Sequence, residues 1–484
     1  MKTNKVLFIT DAPDFPTGVA HQLYNIIESG FSAEDKVVVL HPPRSPRAGE
    51  VTTTRIGNTI VKKINSPKGY ADDAGFTMKV IEEESPDAIV IFTDPWAYVP
   101  FISQMSFWLV ERNIPLIYYH VWDNFPAPIY NLPFYFTSNV VVGISVKSTI
   151  NVLLSLDYVK EYNLKTYRNP DVFYLPHAVD DNLFKKRDRK TSREFLNQVT
   201  KGFVKDDDFV FLINNRNISR KNLMDTIYTF MCFATRHDNV KLVIKTDAVV
   251  PVGTDIPAFL SDMFFFFEKR NLGFVRDKIC FINNDEIFNA GGFTREEIAL
   301  LYNACDATLQ LSSNEGFGIA SLESTLCGTP VVATHTGGIA DQYSIFSKNY
   351  SCIKNADYED PIRDLYNNIH DSVVSDYAER VQKYKNIDFS KDRNHLMIMV
   401  YPSRHFQGSP ATPYILDDRV SMGDMILAFE KAMSFKNQDN FDKLYEDSRA
   451  YITTFFDKNI LGKEFKKAVV KAIKNNETQN VLVI

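Results

Sequence analysis

Two glutamates eight positions apart, Glu315 and Glu323, bracket the segment Gly316-Phe317-Gly318. The surrounding stretch, residues 306–341, reads DATLQLSSNEGFGIASLESTLCGTPVVATHTGGIAD. Residues 307–311 form a short apolar run of strand type, SSNEGFG is rich in turn formers, and a helix is expected over about 319–327. Gly328 stops that helix, Thr329-Pro330 blocks its continuation, and a second strand starts at Val331. Free N–H groups and the positive end of the helix dipole meet at the glycine loop, which suits a phosphate. Gly316 and Gly318 let the backbone come close to such an anion. A ligand with its diphosphate there would present one end to Glu315 and the other to Glu323. Carboxylates bind sugar hydroxyls well, and a nucleotide sugar carries a sugar at each end. An ordinary strand-to-helix turn, with Glu315 a first-turn charge and Glu323 solvated, uses the same residue types. The longer string decides between the two.

That string, E-x7-E followed by CGTPVVAT and Gly337-Gly338, resembles the donor-site signature of retaining glycosyltransferases of the GT-B fold, glycosyltransferase family four. The resemblance implies that Glu315 contacts the transferred sugar and Glu323 holds the nucleotide ribose. It implies that Gly316, Phe317, Gly318, Gly337 and Gly338 border the diphosphate and sugar. Arg216 and Lys221, five apart after a strand, reproduce the family's R-x4-K pair, which implies a grip on the donor diphosphate. Asn222 stands where the family usually has glycine. Gly18, in PTGVAHQLYN, is similar to the family's glycine-rich first loop near the donor phosphate. His120, in YYHVWDNFPAP, matches a residue that many members place beside the transferred sugar, and Asp123 follows it closely. The resemblance thus implies Glu315, His120, Arg216 and Lys221 as catalytic residues, with Glu315 facing a solvent-filled cleft. Asp94 and Trp96, in TDPWAY, and Asp123 are candidates for the acceptor side. No paired aspartates of metal-binding type lie beside the glycine loop, so neither a metal nor another cofactor is expected. Arg216, Lys221 and the helix dipole would receive the charge of the leaving diphosphate.

These residues need strand ends and helix starts to hold them. In the first half KVLFIT, KVVVLH, DAIVIF, PLIYYH, NVVVGI and VFYLP read as strands alternating with helical patterns. In the second half DFVFLIN, KLVIKT and KICFIN do the same. Such alternation implies parallel sheets covered on both faces, with ligands beyond the carboxyl ends of the strands. YLPHAVDDNLF, residues 174–184, resembles the segment that ends the family's first domain, with His177 and Ala178 replacing Asn-Gly. KKRDRKTSR, residues 185–193, is expected to be a solvated linker, and the phenylalanines of 263–267 to be buried on a helix. PYILDDRVSMGDMILAFEKAM resembles the family's next strand and helix after residue 341, delayed by an insertion over about 343–412.

The whole implies an α/β protein of GT-B type with two Rossmann-like domains facing across a cleft. Residues 1–185 would form the acceptor-side domain, with the tail, about 457–484, packing back on it. Residues 200–456 would form the donor domain. The expected reaction moves a sugar from a nucleoside diphosphate sugar, UDP- or GDP-linked, to an acceptor hydroxyl with retention. The acceptor is a glycan, lipid, protein or modified DNA base. A sugar-nucleotide epimerase or a non-catalytic nucleotide-sugar-binding subunit would carry much the same residues.

Bulk properties agree with this and exclude other classes. At 484 residues the chain exceeds one core's usual size, so two domains are the prior. Its net charge of -6 gives no general attraction to nucleic acid or an anionic membrane. No apolar run approaches the ~20 residues that span a bilayer, and MKTNKVLFIT lacks a signal-peptide pattern, so a cytoplasmic location is expected. Cys232, Cys280, Cys305, Cys327 and Cys352 have no metal-ligand spacing and read as reduced core residues.

Overall fold

The structure, a computed structural model, describes residues 4–478 except 46, 252, 284–291, 349, 351–359, 410–411 and 436–437. Eight strands form the first sheet: β1 (Lys5–Ile9), β2 (Lys36–His41), β3 (Val51–Ile56), β4 (Thr59–Asn65), β5 (Ala88–Thr93), β6 (Leu116–His120), β7 (Val140–Gly143) and β8 (Asp171–Tyr174). Their order is β3-β4-β2-β1-β5-β6-β7-β8, parallel throughout except for β3 against β4. The inner strands are apolar over nearly their whole length because helices cover both faces of the sheet. β3 and β4 fall outside the strands expected from the sequence. They lie at the edge, where one face meets solvent, so VTTTRI and TIVKKIN carry Thr, Lys and Arg in place of an apolar run.

The second sheet holds β9 (Phe209–Asn214), β10 (Val240–Thr246), β11 (Ile279–Asn283), β12 (Ala307–Gln310), β13 (Val331–Thr334) and β14 (Met397–Val400). Its order is β11-β10-β9-β12-β13-β14, all parallel. One expectation fails here. The strand after β13 is MIMV of β14, inside the span 343–412, whereas PYILDDR lies in β16 (Thr412–Arg419). β16 pairs antiparallel with β15 (Ser403–Ser409) in a separate hairpin. MIMV supplies the apolar side chains that a parallel sheet packs, whereas Asp417 and Asp418 are buried in the hairpin against Arg419 and Arg404, at 2.6 and 2.7 Å. The same span contains the helix Pro361–Gln382, which packs on the helix Val146–Glu161 and on β8 of the first sheet.

Other segments tie the halves together. The last helix, Lys458–Thr478, lies along Gly18–Gly30 so closely that a Cβ on Gly30 would stand 2.3 Å from the Gly462 carbonyl oxygen. Phe465 stacks on Phe8 of β1, and Lys458 pairs with Glu28 at 2.9 Å and Asp180 at 2.8 Å. The run 185–193 is not simply a solvated linker. The helix Arg189–Val199 begins within it, and Arg189 and Arg193 each reach an oxygen of the buried Asp306 at 2.7 Å. A carboxylate taken out of water needs such partners. The phenylalanine-rich helix forms as Ile256–Glu268, but Phe265 and Phe266 remain exposed. Cys232, Cys280, Cys305 and Cys327 are free thiols, half-buried or buried, while Cys352 lies outside the described residues.

Each sheet has one place where successive strands turn to opposite sides, between β1 and β5 in the first and between β9 and β12 in the second. Ligands of such sheets bind at the carboxyl ends beside that reversal. The loops that leave β9 and β12 carry Lys221 and Glu315.

Candidate active site

Lys221 ends a single 3₁₀ turn, Ser219–Lys221, and the backbone reverses at Asn222, whose φ is +52°. This explains the glycine that the family usually places there. Asparagine is one of the few other residues that enter the left-handed region readily. From the neighbouring loop the Ser313 amide donates to the Arg220 carbonyl at 2.7 Å, which fixes the two loops side by side. Glu315 is then only 5% exposed. The Lys221 ammonium donates to its Oε2, and Arg220 Nη1 lies 3.2 Å from that same oxygen. Ser312 Oγ donates to it as well, at 3.3 Å. Burial is the largest influence on Glu315 and opposes ionisation. Arg220 and Lys221 together outweigh it and hold the carboxyl down at about 2. Glu315 is therefore a buried carboxylate between two cations, not a group in open solvent.

The glycines shape the backbone around it. Gly318, at φ +80°, turns the chain into the helix Ile319–Leu326. Gly337 is at φ +47°, and a Cβ there would fall 1.7 Å from the Glu315 carbonyl oxygen. The Gly338 amide donates to that oxygen at 3.1 Å, so the glycine pair clamps the loop bearing Glu315. Phe317 points away from the helix start. Its ring packs on His177 at 5.1 Å and on Phe456 at 5.8 Å, where the chain passes between the two halves.

Glu323 sits one turn into the helix, 8% exposed, and accepts a hydrogen bond from Tyr302 Oη at 3.3 Å. Burial drives its carboxyl up to about 7, against the pull of Arg295, Tyr302 and Lys245. Below that pH the buried carboxyl keeps its proton. An ionised carboxylate accepts from two ribose hydroxyls, so donor affinity is expected to strengthen as pH rises from about 6 to about 8. Glu323→Gln should remove that dependence. Calorimetry with nucleoside diphosphate over this range checks it, and an unchanged slope in the variant would take Glu323 out of the site.

The first half supplies the opposite wall. A Cβ placed on Gly316 would stand 3.2 Å from Ile144 Cδ1 and 3.8 Å from Asp123 Cβ, so the walls meet at the glycine loop. Asp123 faces Arg220, with Nε to Oδ2 at 3.4 Å. Asp94, at the end of β5, is pushed up to about 7 by burial first and by the Asp123 charge second, and Arg220 and Glu315 also act on it. Trp96 is 69% exposed beside it. Gly18 begins the helix Gly18–Gly30 behind a Thr17 cap, and nothing lies within 4 Å of where its Cβ would be.

Two expected residues, His120 and Arg216, have no hydrogen bond or ion pair with Glu315 among the described residues. His120 is fully buried among Tyr118, Trp122 and Tyr135, with the Tyr135 hydroxyl 3.0 Å from Nε2. Burial pushes it down to about 3, so it is neutral, and its contacts are with those rings and not with the Glu315 cluster. A strand-end histidine between aromatic neighbours is drawn into their packing. Arg216 is exposed in the loop after β9. A second cation, Arg220, joins Lys221 on Glu315, and the R-x4-K spacing passes over it. Only its adjacency to Lys221 in the sequence marked it.

Two Rossmann-like domains, each a parallel sheet with its strand-order reversal turned to a shared cleft, make this a GT-B fold. Residues 277–386 match the family model described as glycosyl transferases group 1. N-acetyl-alpha-D-glucosaminyl L-malate synthase of Bacillus anthracis is 23% identical over 207 residues, 43% of this chain and 46% of that protein. D-inositol 3-phosphate glycosyltransferase of Corynebacterium jeikeium is 52% identical over 44 residues, 9% of this chain and 10% of that one. The chain thus matches less than half the length of these curated relatives. Among solved structures, Anabaena Alr3699/HepE in complex with UDP and glucose aligns with a TM-score of 0.57 at 14% identity, covering 96% of this chain and 99% of that one. The alpha,alpha-trehalose 6-phosphate synthase of Burkholderia multivorans aligns at 0.62 and 11% identity, covering 97% and 98%. Among the described residues no helix is long and apolar enough to cross a membrane.

Proposed function

We propose that this chain is a retaining glycosyltransferase of family four that moves a sugar from a nucleoside diphosphate sugar to an acceptor hydroxyl. The observation that carries the reading is the buried Glu315 carboxylate, paired with Lys221 and Arg220 beside a helix N-terminus whose second turn carries Glu323. Diphosphate on the helix start places the transferred sugar toward Glu315 and the ribose toward Glu323. Breaking the bond between sugar and diphosphate builds negative charge on the diphosphate. Lys221, Arg216 and the helix dipole receive it, while Glu315 faces the positive character on the sugar. The acceptor enters from the side of Asp94, Trp96 and Asp123. The fold neighbour Alr3699/HepE holds UDP and glucose, which supports a UDP-linked donor, with GDP-linked sugars as the other choice.

A screen of nucleotide sugars for donor hydrolysis, followed by an acceptor screen, tests the reading. Proton NMR of the product from an α-linked donor should show an α linkage, and a β product would exclude the family. The fixed cations make a divalent ion unnecessary, so EDTA should leave activity intact. Loss of activity restored by magnesium or manganese would place that charge on a metal instead.

A further inference from the structure

Three carboxylates and two cations meet where the walls of the cleft touch, and one side chain joins the walls. The Arg220 guanidinium donates from Nη1 to the Asn314 carbonyl at 2.8 Å and lies 3.2 Å from Glu315 Oε2. Its Nε is 3.4 Å from Asp123 Oδ2, on the acceptor-side wall. The anchors at both ends are held by contacts of their own. Asn314 donates to Asp417 Oδ1 of β16 at 3.3 Å, the Asp418 amide donates to the Ser313 carbonyl at 3.0 Å, and Asn124 holds Asp123 Oδ1 at 2.8 Å. The guanidinium, about a third exposed, is held more closely on the Glu315 side than on Asp123, so the Asp123 contact at 3.4 Å is the one an incoming hydroxyl displaces most readily.

From this geometry we infer that Arg220 is a catalytic residue whose charge is withheld from the donor diphosphate until an acceptor occupies Asp123. The inference rests on the glycosyl-transfer reading of the site. An acceptor hydroxyl that donates to Asp123 competes with Arg220 Nε for the same carboxylate. The released guanidinium lies next to Lys221, on the turn that faces the diphosphate. The sugar C1–O bond to the diphosphate then breaks with its electron pair left on the diphosphate. A new C1–O bond forms from the acceptor, whose proton passes to the departing diphosphate. Without an acceptor Arg220 stays on Asp123 and water is a poor substitute, so the donor is protected from waste.

The test is acceptor-free hydrolysis of UDP-glucose and GDP-mannose by the full chain. Asp123→Asn removes the competing charge and should raise hydrolysis about five- to tenfold over wild type. Arg220→Lys keeps the charge but cannot span both carboxylates, and it should also hydrolyse faster than wild type. Arg220→Ala should hydrolyse more slowly. In the double variant the Asp123→Asn gain should vanish, because the gain acts through Arg220. A merely structural role for the pair would lower hydrolysis in every variant alongside melting temperature. Hydrolysis by Asp123→Asn at or below wild type, or a gain that survives in the Arg220→Ala background, overturns the inference alone. A chain that binds neither UDP nor GDP in calorimetry brings down the glycosyl-transfer reading itself.

Discussion

Lys221→Ala is expected to lower kcat by about two orders of magnitude, the cost of ~2–4 kcal/mol of lost stabilisation of developing charge. The side chain is buried, and burial works against its charge; the neighbouring Glu315 carboxylate sustains it. On the glycosyl-transfer reading, that desolvated and fixed ammonium would act on the diphosphate without reorganising at the moment of reaction. Because the charge grows only as the bond breaks, kcat should fall more than donor affinity. Steady-state kinetics with saturating donor measures the effect, with circular dichroism as the check on folding. Less than a threefold loss, against the roughly hundredfold expected, would mean that Lys221 is no more than Glu315's structural partner.

Glu315→Gln should lower kcat by two to three orders of magnitude, on the order of 3–4 kcal/mol, with a smaller change in donor affinity. Glutamine keeps the shape and can still accept from Ser312. It removes the one charge that Arg220 and Lys221 share, and an uncompensated buried cation is costly. The melting temperature should therefore fall as well. The pH dependence gives a separate signature. Glu315's folded pKa lies below its unfolded value, so its stabilising contribution is complete above the unfolded value near 4.5 and is lost as pH falls toward about 2. Glu315→Gln should be destabilised relative to wild type at neutral pH and converge with it in acid. A variant with wild-type turnover would end the proposed role.

The central strands were legible because a parallel sheet buries both faces and leaves only apolar runs, as in KVVVLH and VVAT. The same logic hid β3 and β4, whose edge position lets Thr, Lys and Arg alternate with apolar residues. The E-x7-E unit was legible because Gly318 and Gly337 need left-handed backbone and Gly338 a close approach, constraints written into residue type. Arg220 was not, because nothing in its own position distinguishes a surface cation from one facing Asp123 across a cleft. That depends on a loop almost 100 positions away in sequence. His120 shows what a strand-end position leaves open: the rings of Tyr118, Trp122 and Tyr135 pack around it, and nothing in the sequence signalled how deeply they would bury it.

The helix Pro361–Gln382 changes the mechanics of the molecule. Among the described residues, the segments around Val179 and Phe456 lie side by side, with the Val179 amide donating to the Phe456 carbonyl at 3.1 Å. Two adjacent strands of chain make an axle about which one domain can swing. The helix adds a strut away from that axle. It belongs to the second half, yet Tyr366 donates to Asn151, Arg380 donates to the Tyr174 carbonyl at 2.6 Å, and Tyr377 packs on Tyr174. For one half to swing about that axle, the contacts of Tyr366, Tyr377 and Arg380 would have to break, so the strut opposes such a motion. On the glycosyl-transfer reading, substrates would then reach the cleft by shifts of side chains and loops rather than by a swing of one half.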